Sequence, residues 1–254
     1  MTVFSTLSPP DLMLALTVAL VAGWVKGLVG FAMPMVLISG LSVFLPPELA
    51  LAGLILPTLV TNGVQALRQG TGAALTSIRQ FRVFLGVGVV FLMIGAQLVT
   101  LVPASTFLLL IGLPVTFFAL IQVLGFKLVL HGASARIEAM IGAVAGFVGG
   151  MSGVWGPPTV MYLTALNTPK DEQLRAQGVI YGLGALALVA AHIGSGILRP
   201  ATVPFSAVLI VPAVIGLWLG MRLQARIDQA SFRKVTLLVL LVAGLNLLRR
   251  GLMG

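Results

Sequence analysis

The sequence predicts an all-helical, polytopic integral membrane protein made of two inverted five-segment halves, with paired half-helices or re-entrant segments near the midplane. Three observations carry this fold class. Of 254 residues, 59% are hydrophobic and only 8% charged, with a mean hydropathy of +1.13; a soluble domain carries about 25% charged residues. The apolar sequence divides into ten segments separated by short polar stretches. A glycine- and proline-rich motif occurs twice, without a gap, once in each half.

The segments run over about 12–30, 32–45, 49–67, 81–101, 104–126, 138–151, 157–167, 174–198, 203–221 and 232–248. A membrane-crossing helix needs roughly 20 residues. Segments two and seven are much shorter, and each is led by a proline, Pro34 and Pro157. They read as half-helices or re-entrant arms. The loops 68–82, 127–138, 168–175 and 222–234 contain eleven of the fifteen Lys/Arg residues, which places them in the cytoplasm and both termini outside. The net charge of +9 is therefore a membrane-orientation signal rather than a sign of nucleic-acid binding, and the two long basic loops, 68–82 and 222–234, face anionic lipid. The segment "MTVFSTLSPPD" has no Lys or Arg before its apolar run, which argues against a cleaved signal peptide. Cysteine is absent, which excludes disulfides, thiolate metal sites and cysteine nucleophiles. No metal and no cofactor is expected.

The repeat pairs "VAGWVKGLVGFAMP" (21–34) with "VAGFVGGMSGVWGP" (144–157), identical at seven of fourteen positions. The same offset pairs Pro46 with Pro169 and Glu48 with Asp171. The halves are 1–126 and 127–254, and an odd number of segments in each puts the second copy upside down. Inverted repeats whose matching segments are short and broken by Gly and Pro point to a transporter's central site.

The candidate substrate site follows from helix-end physics. A helix start offers unpaired N–H groups and a partial positive charge of roughly +0.5, so it attracts anions. Proline fits the first helical position without loss, because its missing N–H would be unpaired there. Pro34 and Pro157 thus begin two such half-helices. Gly27, Gly30, Gly150, Gly153 and Gly156 let the backbone approach an oxyanion closely, although small residues also serve tight helix packing. Phe31, Ser152, Trp155 and Pro158 complete the loops 27–34 and 150–158, which are expected to hold the anion near the midplane.

Polar residues on the following helices set its orientation. Thr58, Asn62 and Gln65 share one face of segment three; Gln177 and Tyr181 stand one turn apart on segment eight. The alternative for these is interhelical hydrogen bonding, worth only about 0.6 kcal/mol on average. Lys26 is the one Lys or Arg deep inside a segment, a functional position by default unless it snorkels to the surface. An unperturbed histidine titrates at about 6.5, so His192 could relay a proton, but it lies eleven residues beyond Tyr181, about 16 Å along a helix. Trp155 walls the site or packs against lipid.

The two glycine-rich copies, above all "GFVGGMSGVWGPPTVM", together with the length and segment count, resemble the TauE/SafE sulfite exporters. The resemblance implies a bacterial inner-membrane carrier for a small sulfur-containing anion such as sulfite or an organosulfonate. Alternating access by rocking of the halves would follow, and a homodimer is compatible with it. A channel of the same architecture is the alternative. "GMSG" at 150–153 and "AHIGSG" at 191–196 also resemble the serine and histidine elements of rhomboid proteases, with Ser152 and His192 as the pair. The repeat explains that stretch without catalysis, since Val29 stands where Ser152 does in the second copy. The reading is a transporter, not an enzyme.

Overall fold

The computed structural model describes residues 7–98, 104–126, 129–130, 132, 134–152, 155–194 and 196–253, and among them every regular element is an α-helix. The first half contributes α1 (Pro9–Val29), α2 (Met33–Leu41), α3 (Pro47–Leu67), α4 (Thr71–Gln80), α5 (Arg82–Leu98) and α6 (Ala104–Val123). The second contributes α7 (Ala135–Ser152), α8 (Gly156–Ala165), α9 (Lys170–Gly194), α10 (Val203–Arg226) and α11 (Gln229–Met253). Five of these helices are long and apolar enough to cross a membrane, or six if the bent α4–α5 pair is one span.

The starts and stops are local chemistry. Ser8 caps α1, its Oγ accepting the Asp11 N–H at 3.3 Å, and Pro9 and Pro10 occupy the first turn, where no intrahelical donor is needed. Gly30, at φ +85°, ends α1 in the left-handed conformation, and its N–H returns to the Lys26 carbonyl at 2.6 Å. The repeat is visible in the elements: long α1, short proline-led α2 and long α3 have the same order as α7, α8 and α9. The short segments are nine and ten residues long, as expected of half-helices.

The two basic stretches read as long loops are largely helical. Residues 71–80 form α4, which meets α5 at a 75° bend. In 222–234, α10 continues to Arg226 and α11 begins at Gln229, leaving a two-residue turn. Hydropathy cannot see either feature, because charged residues on the exposed side of a helix lower its mean without breaking it.

The chain divides into two compact units that draw on both halves: Met1–Arg68 with Gly178–Ile227, and Gln69–Gln177 with Asp228–Gly254. In the first, α1 of the first half packs along α10 of the second; in the second, α7 of the second half packs along α5 of the first. Both pairings are backbone-close. A Cβ on Gly23 would stand 2.1 Å from the Ala213 carbonyl oxygen, and one on Gly146 would stand 2.0 Å from that of Gly88. Lipid tails supply no hydrophobic drive between helices, so this close van der Waals approach at small residues is what holds such pairs. The interior of the first unit is finished by Leu37, Leu41, Ile55, Phe205 and Leu209, all fully buried.

Candidate functional site

In the first unit the chain leaves α1 at Gly30, turns through Phe31 and Ala32, and starts α2 at Met33. Ala32 has φ +71°, a left-handed conformation that is strained for a residue with a Cβ. Such outliers persist where the surroundings over-determine them. No side chain caps the start of α2, and Pro34 lies in its first turn. Phe31 is buried beside this break.

Lys26 lies one turn before the break and is 2% exposed. Its Nζ donates to Oδ1 of Asn62 on α3 and lies 5.9 Å from the ring centroid of Tyr181 on α9, within reach of cation–π attraction. Asn62 is fixed from its other side, Nδ2 donating to the Tyr181 carbonyl at 3.1 Å. The amide is thereby oriented with its oxygen on the ammonium. One turn further along α3, Gln65 Nε2 donates to the Gly30 carbonyl at 3.1 Å, tying that helix to the break. One turn the other way, the Thr58 hydroxyl is buried with no hydrogen-bond partner among the described residues. Between them Thr61 turns aside, donating to the Pro57 carbonyl at 2.7 Å and touching Met33 Sδ at 3.3 Å.

Most of the expected polar residues of this unit are therefore brought together: Lys26, Asn62 and Tyr181 in contact, Thr58 on the same face of α3, and Gly30 joined through Gln65. Gly27 faces elsewhere. A Cβ there would stand 2.1 Å from the Leu217 carbonyl oxygen, so its bareness serves the α1–α10 contact.

The second motif belongs to the second unit. Gly150 and Ser152 lie in the last turn of α7, Gly153 lies outside the described residues, and Gly156, Pro157 and Pro158 form the first turn of α8. Both prolines are buried. Trp155 is largely buried over α7, where a Cβ on Gly149 would stand 2.7 Å from its Cε3. Its carbonyl accepts the Thr159 hydroxyl at 3.0 Å. Gln177 is fully buried on α9, one turn before Tyr181. His192 is part-exposed at the far end of α9, and its carbonyl accepts the Leu198 N–H at 2.9 Å.

A cavity of about 260 Å³ in the second unit is lined by Glu138, Glu172 and Asn167, among others. Its carboxylates make it hostile to an anion, and each already has a donor: the Phe84 N–H at 2.9 Å for Glu138 and Gln80 Nε2 at 2.5 Å for Glu172. The Lys26 cluster has the opposite character, with a cation and neutral amides, hydroxyls and carbonyls, and no Asp or Glu in contact among the described residues. Sequence reasoning found its members but not the strained Ala32 or the Gln65 tie. The first carries no mark in the sequence, and the second follows from Gln65 sharing a face with Asn62.

A family model described as "Sulfite exporter TauE/SafE" matches residues 15–247. No curated protein and no solved structure matches the chain.

Proposed function

Because the chain belongs to the sulfite exporter TauE/SafE family, whose members are membrane transporters rather than enzymes, we propose that it is a secondary carrier exporting a small sulfur-containing anion, sulfite or an organosulfonate, across the bacterial inner membrane by alternating access. The observation that carries this reading is the buried Lys26 ammonium, held by Asn62 and set over Tyr181 beside a broken helix. An unpaired charge at such depth is expensive, and a role in binding or conducting an ion is the usual reason that one is kept.

In this reading the oxyanion lies on Lys26 Nζ. The uncapped N–H groups at the start of α2 face its oxygens, and the oriented Asn62 amide and Thr58 hydroxyl select its shape. In this reading both termini lie in the periplasm, which the distribution of Lys and Arg supports.

The test is flux in proteoliposomes. Purified protein should take up sulfite or a small sulfonate saturably, and anion preloaded on the far side should accelerate uptake, as a carrier requires and a channel does not. Asn62→Ala should raise the half-saturating concentration about tenfold, the equivalent of one charge-assisted hydrogen bond. Absence of flux for every sulfur anion tried would overturn the reading.

A further inference from the structure

Resting on that reading, we propose that the Lys26 site selects monoanions and rejects dianions, so that its substrate is a singly charged oxyanion such as bisulfite or a simple alkylsulfonate.

The argument is one of charge matching. Lys26 is the only Asp, Glu, Lys or Arg between Asp11 and Glu48, a stretch spanning the whole of α1 after its first turn and all of α2. No Asp, Glu, Lys or Arg occurs on α3 after Glu48 until Arg68, nor on α9 between Arg175 and its end. The groups gathered around the ammonium are an amide, Asn62, and an aromatic ring, Tyr181. On α10, which packs along α1, no Asp, Glu, Lys or Arg occurs before Arg222, whose guanidinium lies 3.5 Å from the Trp218 ring centroid, so the Lys26 ammonium is the one full charge within these bounds, surrounded by neutral dipoles.

The hydrogen-bond inventory points the same way. An ammonium has three N–H donors. Among the described residues Lys26 gives one, to Asn62 Oδ1. Two donors remain for the oxygens of a ligand, and the buried Thr58 hydroxyl, without a partner and one turn from Asn62, supplies a third polar group. An RSO₃⁻ or HSO₃⁻ group has the oxygens to use all of them and a single charge to neutralise. A dianion would satisfy the same donors and leave one negative charge without a counter-charge in a low-dielectric interior, where each unpaired ion is heavily penalised. Lysine presents a compact point charge rather than the rigid double fork of arginine, which suits a singly charged tripod better than a bidentate dianion.

The experiment compares radiolabelled methanesulfonate, sulfoacetate and sulfate in proteoliposomes of the wild-type protein at one fixed pH. Methanesulfonate should be transported and the two dianions should be poorer by about 100-fold or more, an unpaired buried charge being worth at least two factors of ten. Lys26→Arg, which keeps the charge, should retain the monoanion preference, whereas Lys26→Gln should lose methanesulfonate uptake while remaining monodisperse in detergent. Dianions carried as well as monoanions would overturn the proposal and leave the carrier reading standing. A preference that persists in Lys26→Gln would also overturn it, by removing Lys26 as its source. Absence of flux for every anion would overturn both. The wild-type comparison decides the matter even if Lys26→Gln fails to fold.

Discussion

The indole of Trp155 covers Gly149, at a distance that leaves no room for a Cβ on the glycine. Under the repeat offset the equivalent pair is Ala32 and Lys26. The two motif copies therefore exchange large and small: one has a long cationic side chain with an alanine in the break, the other a bare helix position with a tryptophan. The fold is duplicated, but the lysine chemistry is given to one copy and filled with apolar bulk in the other.

That relationship predicts a reversal of sign. Gly149→Ala alone should destabilise by about 1 to 2 kcal/mol, since the new methyl must displace the ring. Trp155→Ala alone should cost about 3 kcal/mol. In the Trp155→Ala background, Gly149→Ala should instead stabilise, because the space is open and alanine is the better helix former. Thermal unfolding of the four proteins in one detergent measures the coupling; energies that add within about 0.5 kcal/mol would remove the proposed contact.

The α1–α10 contact makes a second prediction. Gly23→Ala forces a methyl against the Ala213 carbonyl and should lower stability by about 1 to 3 kcal/mol. Gly63→Ala on α3 meets nothing within 4 Å and should raise stability by about 0.5 to 1 kcal/mol. Comparing midpoints of denaturation separates a packing glycine from a merely flexible one.

Much of this architecture was legible before any coordinates. The ungapped repeat gave both broken helices to within a residue or two, because a proline recurring at the same point of both copies, near glycines, favours the first turn of a new helix. Thr58, Asn62 and Gln65 were placed on one face of a helix by spacing alone, and the structure buries that face. The α4 helix was not legible: its Leu75 and Ile78 are too few to register as an apolar segment. Nor was the exchange of helices between halves, since pairing α1 with α10 depends on shape complementarity at Gly23, Gly27, Gly216 and Gly220, and small residues mark a close contact without naming its partner. Lys26 could be flagged from sequence, but whether it snorkels or is held by Asn62 depends on helices far apart in the chain.

The α4 helix yields a third prediction. Its Leu75 and Ile78 are exposed on one side and Ala74 and Ser77 buried on another, with Arg79 and Arg82 nearby and a 75° turn into α5. Such a helix is expected to lie in the headgroup layer. The chain has no cysteine, so single nitroxide labels are simple to place. A label at Leu75 should be shielded from an aqueous relaxation agent and one at Gln80 accessible to it; equal accessibility would exclude the interfacial placement.

A fourth prediction concerns acid. The Asp228 carboxylate accepts the Ser231 N–H at 2.7 Å at the start of α11. That hydrogen bond, followed by one from the Ser231 hydroxyl and the nearby Lys170 charge, holds its pKa below the usual aspartate value. A lowered folded-state pKa stabilises above the unfolded value of about 4, and the contribution is lost as pH falls through the folded one. The Asp228→Asn protein, which keeps the cap but not the charge, should have a lower thermal midpoint than wild type at neutral pH, and the gap should close in acid. A gap that stays constant through the acid range would show that charge is not its origin.

The pairing of α1 with α10 bears finally on how the protein is made. Gly23 and its seat at Ala213 are separated by 190 residues of chain, the difference of their positions. At about 5–20 residues per second, ribosomal synthesis needs roughly 10 to 40 s to deliver the partner. Throughout that interval α1, with its lysine, stands in the membrane before its permanent neighbour exists. The small-residue face of α1 is therefore expected to meet lipid or the insertion machinery until α10 arrives.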